Sequence, residues 1–337
     1  MASDPTISVV ICTHNRAAAL RETLVSLGKV RVRHAWKTEL LVVDNASTDD
    51  TAAIVRDAKL PTMEVGYFFE PQKGKSNALN AALARTRGEL ILFTDDDVTI
   101  AENWMEQMVS AFTQLGCDAA VGRITLAPHL VRPWMNRRHL WWLASPDAQP
   151  AGTPELIGAN MGFRRTVLQR VPGYDPELGP GALGLGEEAL FGGQLVEAGF
   201  KIGYAERAAV VHAPDASRLK RRDWLDLARK HGRQEAYIEH HWSHISISAP
   251  WLRWIWNSLK LGLRRLLQPP PALEAEGCPD WEMCYARDVE KLRHYCIERR
   301  RPRNYARRGL VKLSGKPGMD GTLATGSALE ASKVAVR

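Results

Sequence analysis

The feature that most constrains the fold is a series of short, almost wholly apolar runs, each followed by a segment of helical period. Residues 7–12 (ISVVIC), 39–44 (ELLVVD), 63–69 and 89–94 (ELILFT) read as strands. Between them, residues 16–27 and 75–86 place apolar side chains at i, i+3 and i+4, as amphipathic helices do. A helix over 103–115 and a strand over 119–126 continue the alternation. Strands this apolar are buried on both faces. That requires a Rossmann-like, mostly parallel sheet with helices on each side, so the predicted class is α/β.

In such sheets ligands bind beyond the carboxyl ends of the strands. Here those ends read Thr13-His14-Asn15-Arg16, Asp44-Asn45 and Asp95-Asp96-Asp97, polar or charged directly after apolar runs. One cleft is implied. No G-x-G-x-x-G follows the first strand, where the sequence is CTHNR, so a nicotinamide or flavin site is not expected. Asp44 stands where an acid can accept hydrogen bonds from a nucleoside, and equally where an Asx-turn or N-cap residue would stand. Three adjacent carboxylates at residues 95–97 repel one another unless a cation or solvent screens them. Hard oxygen donors suit Mg²⁺ or Mn²⁺, which binds one or two carboxylates together with substrate phosphates. The alternative is a solvated acidic loop ahead of the helix at residue 103.

Further along, residues 128–157 are irregular and contain Trp134, Trp141 and Trp142. Residues 158–165 (GANMGFRR) read as a strand or turn followed by a short helix. A glycine-rich stretch at 179–188 (GPGALGLGEE) precedes a helix through residue 198, and 201–212 form a last strand region. With the pieces VVICTHNR, LLVVDNASTDDT, GKSNALNAAL, ELILFTDDDV, GANMGFRR, GYDPELG, LGLGEE and AAVVH in order, residues 7–217 resemble a family 2 glycosyltransferase, the inverting group of GT-A fold.

The resemblance implies roles for named residues. Thr13, Asn15 and Asp44 would hold the base and ribose of a nucleotide-sugar, with Arg16 and Asn45 beside them. Lys75 and Asn80 would contact base or phosphate, although a lone lysine on a helix is usually solvated surface. Asp95 and Asp97 would bracket a Mg²⁺ or Mn²⁺ ion, Asp96 would add a further contact, and His212 would complete the metal or diphosphate site. A histidine after an apolar strand is as often structural.

Glu188 would be the catalytic base and Glu187 its neighbour. The family usually has Asp at the second acid, and Glu keeps the chemistry with one more methylene. Two adjacent acids should raise one pKa, which suits a general base. Both could instead be ordinary first-turn acids favoured by the helix dipole. Asn160, Tyr174 and Asp175 would lie on the acceptor side. The implied reaction is metal-dependent, inverting transfer from a UDP-, dTDP- or GDP-linked sugar to a hydroxyl of a glycan or lipid-linked acceptor, in surface glycan synthesis. A sugar-phosphate nucleotidyltransferase is the rival enzyme, but CTHNRAAA lacks its expected glycine- and basic-rich loop. An inactive glycan- or membrane-binding module is the third reading.

Charge divides the 337-residue chain. Residues 1–217 carry 21 basic and 25 acidic side chains, whereas 218–337 carry 24 and 13. The net +7 is therefore an acidic catalytic region plus a basic helical extension over 218–308, followed by an expected disordered tail over 309–337. Residues 218–233 and 251–267 read as amphipathic helices. Tryptophan with arginine on the second suits an anionic membrane surface, and packing on the catalytic domain is its alternative. No nucleic-acid-binding motif is present. Five scattered cysteines fit a reducing compartment, and Cys278, Cys284, His294 and Cys296 match no compact zinc spacing. Without a signal-peptide pattern or a spanning apolar window, the expected location is cytoplasmic, with the extension able to hold the protein at the inner membrane face.

Overall fold

The computed structural model describes residues 5–144 and 154–313. In chain order it forms β1 (Thr6–Thr13), α1 (Ala17–Leu27), β2 (Lys37–Asp44), α2 (Thr51–Asp57), β3 (Glu64–Phe69) and α3 (Lys75–Arg85). Next come β4 (Leu90–Thr94), β5 (Val98–Ile100), α4 (Trp104–Gln114), β6 (Ala119–Leu126), α5 (Arg137–Trp142) and β7 (Asn160–Arg164). The chain continues through α6 (Glu187–Glu197), β8 (Ile202–His212), α7 (Arg221–His241), α8 (Pro250–Leu267) and α9 (Asp280–Glu298).

The strands form one sheet in the order β3-β2-β1-β4-β7-β6-β8-β5. Strands β3, β2, β1 and β4 run parallel, as their apolar runs require. β7 is antiparallel to both neighbours, and β5 is antiparallel to β8. The three-residue β5, directly after the aspartate triplet, has too short a sequence signal to be read in advance.

Alternation along the strands builds the two faces. Ile7, Val9 and Ile11 of β1 and Leu90 and Leu92 of β4 meet Leu20, Leu24 and Leu27 of α1 and Trp104, Met108 and Phe112 of α4. Val10, Ile91 and Phe93 point the other way, onto Ala78, Leu79 and Leu83 of α3 and Phe191 and Leu195 of α6. A period-2 strand buried on both sides gives this arrangement.

The basic extension is packed, not loose. Trp224 and Leu225 of α7 and Met283 and Ala286 of α9 join Leu126, Leu130 and Leu143 in a further core. Glu282 of α9 is fully buried. Burial would raise its carboxyl, but hydrogen bonds from Arg221 and Arg265 hold it below the usual range. Residues 309–313, the start of the segment read as a tail, are placed: the Gly309 carbonyl accepts from Gln194 and Trp242, and Lys312 reaches Asp175. Residues 314–337 lie outside those described. All five cysteines are free thiols.

Candidate active site

Register brings the polar strand ends together. Thr13 pairs with Asp44 across β1 and β2, and Ile11 pairs with Thr94 across β1 and β4. Asp95, Asp96 and Asp97 therefore emerge beside Thr13. On the far side, Val98 of β5 pairs with His212 at the end of β8. That single pairing sets Asp97 against His212.

The first group of charges centres on Asp96 and Asp97, both buried. Thr13 Oγ1 donates to Asp96 Oδ2 at 2.7 Å, and Arg16 Nη1 lies 2.9 Å from both Asp96 Oδ1 and Asp97 Oδ2. Burial, aided by Asp97, pushes Asp96 up to about 6 despite Arg16 and Thr13. Asp97 is buried too, yet His212 and Arg16 hold it far below the usual carboxylate range. His212 Nδ1 sits 2.7 Å from the Leu143 carbonyl, so that nitrogen carries a proton and donates. Its Nε2 faces Asp97 Oδ1 at 3.3 Å.

A neutral imidazole in that tautomer turns a lone pair toward a carboxylate, which only a proton or a cation between them makes favourable. A ring nitrogen bonded to a backbone carbonyl is also the usual outer support of a metal-ligating histidine. Asp97 and His212 thus fit a divalent ion as neighbouring oxygen and nitrogen donors. Among the described residues no three such side chains converge on one point. The remaining coordination would fall to phosphate and water, as is common for Mg²⁺.

The second group centres on Lys75 at the start of α3. Its Nζ lies 3.2 Å from Asp95 Oδ1, 3.0 Å from Glu188 Oε1 and 3.8 Å from Glu187 Oε1. Burial would lower this ammonium, but the three carboxylates drive it well above its ordinary value. The glycine-rich loop makes the meeting possible. Lys75 N donates to the Pro180 carbonyl, and Gly181, at φ +89°, comes so close that a Cβ would sit 2.8 Å from Gly74 Cα. Gly158 is equally confined, since a Cβ there would collide with Glu188 Oε1 and stand 2.9 Å from Lys75 Nζ.

Glu187 is the acid that holds its proton: burial first, and then the neighbouring Glu188, push it up to about 8. Glu188 is the more accessible of the two, with side-chain exposure of 19% against 4%.

Other expected site residues are distributed as follows. Asp44 is buried, accepting from Tyr67 Oη at 2.8 Å and from the Ser47 amide at 2.9 Å, so both the turn and the nucleoside readings remain compatible with its place. Asn15, at φ +52°, is exposed at the rim and accepts from the Thr48 amide. Asn45 braces the loop ahead of α3 through the Glu70, Gln72 and Gly74 backbone.

Four assignments need correction. Asn80 spends its amide on the Tyr174 backbone, donating to the carbonyl and accepting from the N–H. Fully buried Asn160 binds Trp104 Nε1 and the carbonyls of Arg123 and Ala208, which makes it scaffold. Asp175 is also scaffold: it accepts from Tyr237 and Tyr305 and pairs with Lys312, tying the extension down. Asp95 faces Lys75 rather than the Asp97–His212 point. Tyr174 is buried and stacks on Phe191, its hydroxyl without a hydrogen-bond partner among the described residues. Asn80, Tyr174 and Asp175 border a separate groove of about 1000 Å³ that none of the cleft carboxylates lines.

Arg218 was not foreseen. It is close enough to Asp97, Arg16 and Asp95 to feel their charges, burial lowers its pKa, and its guanidinium forms no hydrogen bond among the described residues. Its only signal in the sequence was membership of a basic run.

A family model described as Glycosyl transferase family 2 matches residues 8–171, spanning β1 to the turn after β7. Those residues, just under half of the chain, carry a glycosyltransferase family 2 domain. Among curated relatives, the succinoglycan biosynthesis protein ExoM of Rhizobium meliloti (strain 1021) is 28% identical over 120 residues, 35% of this chain and 38% of the relative. The pre-mycofactocin glycosyltransferase of Mycobacterium tuberculosis (strain ATCC 25618 / H37Rv) is 26% identical over 284 residues, 77% of this chain and 54% of the relative. The chain thus spans well under two thirds of either relative. Among solved structures, the mannosyltransferase PcManGT from Pyrobaculum calidifontis, in complex with GDP-Man and Mn2+, matches with a TM-score of 0.56 at 18% identity, over 89% of each chain. At that identity the likeness establishes the GT-A type of fold alone.

Proposed function

We propose that this chain is an inverting glycosyltransferase that moves a sugar from a nucleoside diphosphate to a hydroxyl acceptor in glycan or glycolipid synthesis. The observation that carries the reading is the adjacency of two charge groups at the sheet's carboxyl edge. Arg16, Asp96, Asp97 and His212 form one, and Lys75, Asp95 and Glu188 the other. The first suits a diphosphate with a divalent ion, which PcManGT binds as GDP-Man with Mn2+. The second supplies a base.

In this reading Asp97 and His212 would hold Mg²⁺ or Mn²⁺, which would supply positive charge to offset that on the departing diphosphate. Arg16 would leave its two aspartates for the diphosphate, and Arg218 would add a second cation there. Thr13, Asn15 and Asp44 line the side on which a nucleoside would lie. Glu188 accepts the proton of the attacking hydroxyl, and a single in-line displacement inverts the anomeric centre. Lys75 keeps Glu188 and Asp95 apart and in place. Glu187, protonated below about pH 8, brings no charge of its own to the start of α6.

The deciding experiment incubates the purified chain with Mn²⁺ and a panel of UDP-, dTDP- and GDP-sugars and follows slow hydrolysis. Release of one nucleoside diphosphate supports the transferase and names the donor. Turnover of nucleoside triphosphate with sugar phosphate would instead make it a nucleotidyltransferase. No turnover and no binding of any nucleotide would leave the inactive module.

A further inference from the structure

We infer that α8 is an interfacial helix that seats this protein on an anionic lipid surface. Of its 18 residues only Pro250 and Leu261 are buried. Trp251, Leu252, Ile255, Trp256, Leu259, Leu263, Leu266 and Leu267 are all exposed, Leu259 at 61% and Leu266 at 80%. At about 100° per residue these eight side chains fall within one arc of roughly 160°, and the buried pair lies opposite. The helix therefore docks by one edge and turns a continuous apolar face outward. Nothing among the described residues covers it.

The flanks identify the occupant. α8 contains Arg253, Lys260, Arg264 and Arg265 and no acid. Arg253 and Lys260 are exposed beside the apolar arc, and the Lys260 ammonium lies 5.3 Å from the Trp256 ring centroid. Tryptophan and leucine on one face with basic residues at its margin is the composition of helices that lie in the headgroup plane. A second copy of this chain would set one acid-free, four-cation helix against another, which charge disfavours. No described helix is long and apolar enough to cross a membrane.

The helix is also rigidly mounted. Arg265 Nε donates to Glu282 Oε1 at 2.7 Å, and the Arg264 guanidinium stands 4.8 Å from the Trp281 ring centroid. Glu282 in turn holds Arg221, at the start of the helix that follows His212. A surface that fixes α8 thereby fixes the orientation of the carboxylate cleft.

Flotation of the full chain with vesicles tests this without any need for activity. Binding is expected to vesicles containing a third phosphatidylglycerol and not to phosphatidylcholine alone. The double substitution Leu259→Glu and Leu263→Glu, on exposed sites, should reduce binding at least tenfold while leaving the thermal transition in place. Arg253→Gln and Lys260→Gln should weaken it by about fivefold per charge and flatten its salt dependence. Bromolipid quenching of wild-type tryptophan fluorescence gives a readout that needs no variant. Wild type that ignores anionic vesicles, or leucine variants that bind as wild type does, would overturn the inference. So would a sedimentation dimer that the leucine pair converts to monomer, since the occupant would then be a second copy.

Discussion

The carboxylate cleft and the outward face of α8 invert the ordinary distribution of side chains in opposite senses. The cleft buries Asp96, Asp97, Glu187 and His212, and largely buries Lys75, groups that normally stay in water. The α8 face leaves eight large apolar side chains in water. Each inversion is costly in isolation, because buried charge needs a partner and exposed hydrocarbon needs a cover. The cleft supplies most of its partners internally, through Arg16 and Lys75. The helix face supplies none, so its partner must come from outside. The comparison teaches where to look for function: at places whose energetics are completed by something else.

The largest expected effect separates the two regions outright. Glu188→Gln should lower transfer about a thousandfold with nucleotide binding retained. Asp97→Ala should abolish transfer and also weaken Mn²⁺-dependent nucleotide binding in calorimetry. Neither should alter vesicle flotation. Full activity in Glu188→Gln would remove that residue from the base role.

A smaller effect is expected at Arg218, whose replacement by Ala should raise KM for the nucleotide-sugar about tenfold and leave kcat within a few-fold. An unchanged KM would place Arg218 outside the diphosphate site.

Lys75→Met should lower Tm by several degrees, because Asp95, Glu187 and Glu188 lose their shared cation. That loss should shrink between pH 8 and pH 5, as Glu187, pushed up to about 8, takes up its proton. A deficit equal at pH 5 and pH 8 would mean the ammonium does not hold the cluster together.

The smallest effect is a slope. Glu187 sits at about 8 folded against 4.5 as its ordinary value, so the folded state holds the extra proton between those limits. Its contribution to stability is present below about pH 4.5 and is lost as pH rises toward 8. Glu187→Gln should therefore show a flatter fall of Tm between pH 5 and 8.5 than wild type. Parallel curves would show that Glu187 is ionised throughout.

Much of this was legible in the residues. The strands β1, β2, β3, β4, β6 and β8 lie within two residues of where apolar runs place them, because a doubly buried strand must be apolar throughout. Thr13, Arg16, Asp44 and the 95–97 triplet are found at strand ends in one region for the same reason. The family likeness put Glu188 and His212 in the cleft as well. It misled at Asn80, Asn160 and Asp175, polar residues in the right segments whose hydrogen bonds are satisfied by distant backbone and tyrosines. Arg218 stayed hidden among the basic residues around it, since nothing local separates a cation facing a cleft from one facing water.

By itself, then, the sequence determined the layered α/β architecture, the edge at which chemistry is possible and the division of charge between the two halves. Each follows from local composition and period. Only the tertiary structure decided that Asp97 meets His212, through the short pairing of β5 with β8, and that Lys75 joins Glu188, through glycines that let two loops touch. It also decided that α8 docks by its narrow edge and leaves its broad apolar face outward. These depend on register and packing between segments far apart in the chain, which no local pattern encodes.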